Sequence, residues 1–145
     1  MKYEKGIFYS FFIIRRLIES RKVSDAIRNK IIKLNQYRPT GTNVTYSHRH
    51  DIDELYDLAA PIIIKKPLDF VCNQIIHSYV FTLLIEDSGR RTSIIFCSDW
   101  ERNKAAYRMT RGTLVRTLRM VGNNWPKRMS AIWDRKKGDY QINIK

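Results

Sequence analysis

A chain of 145 residues that is 43% hydrophobic and 12% aromatic carries the apolar content of a folded protein, which excludes a disordered tail. Its 27 Lys/Arg against 14 Asp/Glu leave a net charge of +13, so the partners to consider first are polyanions. The length is that of one domain, 1–145, and no stretch reaches the ~20 apolar residues of a membrane span.

The charge is unevenly spread. Residues 1–50 carry +8, residues 51–97 carry −3 and residues 98–145 carry +8. Two basic ends that shared a face would make a field suited to a phosphate backbone. Near the N-terminus the apolar patch from Ile7 to Ile14 is cut short by Arg15 and Arg16, where an export signal needs small residues, so a cytoplasmic location is expected. Cys72 and Cys97 each sit in an apolar run and are expected to be buried free thiols rather than a disulfide.

Residues 5–37 read as one bent helix or two. Phe8, Phe11, Phe12, Arg15 and Ile18 recur at spacings of three and four, and Ser24 with Asp25 predicts a cap before Ile27, Ile31 and Leu34. Arg38-Pro39 ends that pattern in a loop. Asp51 and Glu54 have the spacing of a capping box ahead of Ile52, Leu55 and Leu58. Pro67 is expected as a first helical residue, with Leu68, Val71, Ile75 and Tyr79 on one stripe.

The period then changes. Val80 to Ile85 and Thr92 to Cys97 predict a hairpin around Asp87-Ser88-Gly89-Arg90. A second capping box, Ser98 and Glu101, predicts a helix from about Trp100 to Val121, closed by Gly122 and Pro126. From Ala131 to Ile144 a second hairpin is expected around Lys136-Lys137-Gly138-Asp139, because Tyr140, Ile142 and Ile144 alternate with polar residues. The fold class this predicts is α+β. It has an N-terminal helical half of three to four helices over about 5–80, then an antiparallel β-β-α-β-β half over about 80–145.

Two groups of residues point to chemistry. Asp69, Asn73 and His77 fall at i, i+4 and i+8, one polar stripe in which His77 could exchange a proton and Asn73 could orient it. On the expected helix 100–121, Lys104, Arg108, Arg111, Arg116 and Arg119 project within roughly 140° of one another, and Lys127 and Arg128 follow. No acidic residue interrupts those five positions, so the stripe predicts phosphate contact. Trp100, Trp125 and Trp133 could stack on bases, although packing is the commoner use of tryptophan. Arg90 and Arg91 at the hairpin tip are a further phosphate contact or only a turn. His48, His50 and Asp51 lack the second pair of ligands that zinc requires, and no metal or other cofactor is expected.

The stretch Cys72-Asn73-Gln74-Ile75-Ile76-His77-Ser78-Tyr79 resembles the signature of the HEPN superfamily, in which arginine, a polar residue and a spaced histidine share one helix. Asn73 and His77 match the polar residue and the histidine, while Cys72 stands where the family has arginine. The resemblance implies a small metal-independent RNase of toxin or defence systems, or a degenerate relative of one. His77 would be its acid or base, and the protein would pair as a homodimer. Charge and resemblance together lead to the expectation of a nucleic-acid-binding protein, with RNA favoured over DNA. The alternative is a non-enzymatic module, an immunity or antitoxin-like factor or a defence-complex subunit, that docks an acidic protein.

Overall fold

The computed structural model describes residues 2–85 and 91–145 of the chain. Its elements are α1 (Lys2–Glu19), α2 (Asp25–Arg28), β1 (Ile31–Tyr37), α3 (Ile52–Leu55), β2 (Ile62–Pro67), α4 (Leu68–Ile76), β3 (Ser78–Ile85), β4 (Arg91–Ser98), β5 (Ala106–Thr110), α5 (Arg111–Gly122), β6 (Met129–Asp134) and β7 (Asp139–Ile144). β1 to β5 form one antiparallel sheet in the order β2-β1-β5-β4-β3, while β6 and β7 pair only with each other. No helix among the described residues is long and apolar enough to cross a membrane.

The expected three-to-four-helix half followed by β-β-α-β-β is overturned. Only α1 is a long helix before residue 68. It buries Phe11, Ile14 and Ile18, and it ends where Arg21 adopts a φ of 55°. There the Arg21 N–H donates to the Ile18 carbonyl at 3.2 Å and the Lys22 N–H to the Leu17 carbonyl at 2.8 Å, the two bonds of a Schellman stop. Ser24 does not cap α2 with its side chain. Its hydroxyl instead accepts from Asn124 Nδ2 at 2.9 Å, so the helix-start signal is spent on a tertiary contact and α2 is a single turn. Ile31 and Leu34, expected on a helix, belong to β1, where Ile32 and Leu34 are buried and Ile31 and Lys33 are exposed.

The Asp51–Glu54 capping box also fails to cap. α3 is one turn with no side-chain cap bond, and it serves to bury Ile52 and Leu55. Tyr56 follows, fully buried, its hydroxyl donating to the Arg102 carbonyl at 2.6 Å and lying 3.4 Å from Cys97 Sγ. Ile62 to Pro67 is an edge strand, a place that tolerates a proline. Pro67 is extended, with ψ 152°, and α4 starts after it. α4 stops at Ile76, so Tyr79 lies in β3 and not on the helical stripe.

The helix expected from Trp100 to Val121 is instead a turn, a strand and a shorter helix. Ser98 Oγ does accept from the Glu101 N–H at 3.3 Å, but only turns follow. Ala106 to Met109 then enter the sheet between β1 and β4, with Ala106, Tyr107 and Met109 buried. The consecutive buried residues Ala106 and Tyr107 blur the alternation that would mark a strand. α5 begins only at Arg111, capped by Thr110 Oγ1, which accepts from the Thr113 N–H at 3.2 Å. The expected turn around residues 87–90 lies outside the described residues.

One apolar cluster joins α1, α4 and the sheet, with Leu114 and Leu118 of α5 packed against it. Phe8 of α1 meets Phe81 of β3 at 4.8 Å between ring centroids, and Phe70 of α4 meets Tyr107 of β5 edge-on at 5.4 Å. Both cysteines are free and buried. Burial pushes the Cys72 thiol up to about 12 and the Cys97 thiol up to about 11.

Candidate nucleic-acid interface

The sequence-predicted cations do not form one helical stripe. Arg111, Arg116 and Arg119 are exposed on α5. Lys104 lies in the turn before β5, its ammonium 4.5 Å from the centre of the Trp100 ring. Arg108 lies in β5 and is half-buried. Its Nε donates to Ser93 Oγ at 2.9 Å and its Nη1 to the Tyr37 hydroxyl at 3.5 Å, so two of its donors serve the sheet. Lys127 and Arg128 are exposed beyond α5, where their backbone N–H groups hold the carbonyl of Lys145 at 2.7 and 3.0 Å. Arg90 lies outside the described residues.

What the fold assembles in place of that stripe is a basic groove. It has a volume of about 450 Å³ and lies between the start of β1 and α5, with Lys30, Lys33, Arg116 and two threonines around an apolar floor of Ile31, Ile32 and Met120. The basic segment before residue 50 and the basic segment after residue 98 therefore meet here. Register extends the surface across the sheet, because Lys33 pairs directly with Lys65 of the edge strand β2. Both lysines are exposed. None of the groove cations is in an ion pair among the described residues.

That juxtaposition has an energetic cost. Directly opposed cross-strand residues stand about 5 Å apart at Cβ, and like charges there destabilise the pair. α5 adds to the cost, since its first turn carries Arg111 and no acidic residue at the end where the helix dipole favours an anion. Both penalties would be relieved by a bound polyanion. Lys30, Lys33 and Lys65 were not singled out by the sequence. The signal that could have found Lys33 is the period-two pattern of β1, which puts it on the exposed side between Ile32 and Leu34.

The Asn73–His77 stretch has a different setting. Asn73 is half-buried on α4, and its Oδ1 accepts from Nη1 of Arg15, which reaches across from α1. A guanidinium thus arrives beside Asn73 from another helix, although Cys72 cannot supply one. Arg15 also donates through Nε to Glu19 Oε1 at 2.8 Å. That hydrogen bond, with a weaker contribution from Arg16, holds the Glu19 carboxyl below the ordinary carboxylate range. Arg15, Arg21, Arg28, Asp69 and Asn73 line a cleft of about 490 Å³. His77 is not among the residues lining it. It follows α4 as the C-cap, exposed, and its imidazole has no hydrogen-bond partner among the described residues.

Arg15 therefore stands beside Asn73 with its Nε committed to Glu19, and nothing orients His77 toward the same point. Among the described residues no cluster of His, Cys, Asp or Glu could hold a metal ion. Comparison with protein-family models, with curated proteins and with solved structures finds no match.

Proposed function

We propose that the protein binds nucleic acid through the groove between β1 and α5. The observation that carries this reading is the meeting of Lys30, Lys33 and Arg116 around one groove, with Lys65 paired to Lys33 and no acidic partner for any of the four among the described residues. Compact cations that line a groove neutralise phosphates and release counterions, which gives affinity and position without reading sequence. The likeness of residues 72–79 to the HEPN signature favours RNA over DNA as the natural ligand.

The test is a titration of labelled duplex against salt, for the native protein and for the triple variant Lys30→Gln, Lys33→Gln, Arg116→Gln. Four phosphate contacts give a log–log slope of about −3.6 on B-form DNA, and the variant should retain only about −0.9. A flat salt dependence, or a variant with the native slope, would refute the proposal. A tight complex with an acidic protein and no affinity for nucleic acid would move the chain into the class of protein-docking modules.

A second reading is favoured by one specific contact. The Arg15 guanidinium at Asn73 supplies the phosphate-binding group that an RNase at Asn73 and His77 would require. Incubation of structured RNA in EDTA with the native protein and His77→Ala tests it. Cleavage lost in the variant supports the enzyme, and intact RNA with both proteins removes it.

A further inference from the structure

The hairpin β6–β7 is a two-stranded ribbon, and such ribbons are marginal in water unless something covers them. Here the attachment is through polar contacts. The Ile144 N–H donates to Asp25 Oδ2 at 2.8 Å, Arg21 Nη1 donates to the Ile142 carbonyl at 3.3 Å, and of the twelve strand residues only Ile144 is buried. β6 is exposed continuously from Met129 to Trp133. Its large apolar side chains stand in solvent, with Ile132 62%, Trp133 52% and, across the ladder, Tyr140 55% exposed. A strand packed on its own protein would hide every second residue, and this one does not.

Trp133 and Tyr140 are direct cross-strand partners whose rings meet edge-to-face at 5.1 Å. They stand next to the turn that carries Arg135, Lys136 and Lys137. That turn is held in shape by Asp134, whose Oδ1 accepts from the N–H groups of Lys136 at 2.9 Å and Lys137 at 3.3 Å, while Gly138 supplies the positive φ of 63°. Residues 127–145 carry a net charge of +4. An apolar protein partner would have to strip water from those cations, whereas a nucleic acid would neutralise them. Paired bases hide their faces within the duplex, so aromatic rings flanked by cations suit unpaired bases.

We propose that the β6–β7 hairpin is a stacking arm for single-stranded nucleic acid. Trp133 and Tyr140 take bases on their rings, and the turn cations Arg135, Lys136 and Lys137 hold the adjoining phosphates. The proposal rests on the nucleic-acid reading above and adds to it the strandedness of the ligand and a second contact surface.

The experiment compares an oligouridylate and an oligothymidylate of roughly 20 nucleotides with a duplex of the same length, a span longer than one stacking platform needs. Binding by the native protein is set beside Trp133→Ala, Tyr140→Ala and Trp133→Phe, with a thermal melt of each to establish folding. Alanine at either position should weaken both single strands roughly tenfold and leave the duplex within about twofold, while Trp133→Phe retains most of the affinity. A preference for the uridylate over the thymidylate would assign the arm to RNA, and the reverse to DNA. Equal loss on single strand and duplex, or no loss on either, would overturn the arm and leave the groove proposal standing. Binding of no nucleic acid by the native protein would overturn both. A dimer in sedimentation that dissociates in Trp133→Ala would show that the rings face a second copy, which also overturns the arm.

Discussion

Replacing Lys65 with glutamate separates a binding role from a structural one, because the two respond in opposite directions. Lys33 and Lys65 are directly paired and both exposed, so Lys65→Glu converts a repulsive cross-strand pair into an attractive one. Such pairs are worth about 0.2–1 kcal/mol, and solvent screening keeps an exposed one near the middle of that range, about 0.5 kcal/mol. For a chain of this size that is a rise in Tm of about 2 °C, which shrinks as salt is added. The same substitution removes one phosphate contact and places an anion beside Lys33. The log–log salt slope on duplex should then become shallower by about 0.9, with weaker binding at every salt concentration. The assay is a pair of measurements on one preparation, a thermal melt at low salt and fluorescence anisotropy against salt. A variant that melts higher and binds more weakly fits the reasoning. A variant that melts higher and binds with the native slope refutes the role of β2 in the interface, and one that melts lower refutes the repulsion.

Tyr56→Phe should destabilise the fold by about 1 kcal/mol, read from chemical denaturation, because it removes the buried hydroxyl that donates to the part-buried Arg102 carbonyl at 2.6 Å. Nucleic-acid affinity should not change in the same variant. Stability should also fall at alkaline pH. The thiols of Cys72 and Cys97 ionise near 9 when unfolded but only near 12 and 11 when buried, so the unfolded chain loses protons first. Their contribution is fully present below about pH 9 and is lost as pH rises toward 11–12. Melts in reductant between pH 7 and 10 should show this decline, with a shallower slope in Cys72→Ala, and an unchanged slope would refute the assignment.

Sequence patterns located the two hairpin segments because each combines β-prone residues with turn chemistry, and β6–β7 adds strict alternation. They misplaced β1 because Ile27, Ile31 and Leu34 satisfy a helical spacing while Ile32 and Leu34 satisfy a strand spacing. Tertiary pairing with β2 and β5 decided between the two periods. β5 was lost for a related reason. Four successive residues from Ala106 to Met109 suit a central strand as well as a helix, and the Ser98–Glu101 signal before them marks only a turn. For the site, Arg111, Arg116 and Arg119 were legible from helical spacing, but Lys30 and Lys33, which share the groove with Arg116, lie far away in sequence and become its neighbours only when β1 enters the sheet. The Arg15–Asn73 contact joins two helices, and no local pattern encodes it.

The position of β1 has a kinetic consequence. β3, β4 and β5 follow one another as a meander, and β2 returns to β1 through a shorter connection, so both groups can form early. Closing the seam between β1 and β5 brings together residues roughly 70 apart, such as Asn35 and Arg108, and pays the largest loop-closure entropy in the sheet. That seam should be among the last parts of the sheet to zip and the first to open. Lys30 and Lys33 stand on one side of it and Arg116 on the other, so a polyanion lying in the groove would act as a clasp, slowing the opening of the sheet as it binds.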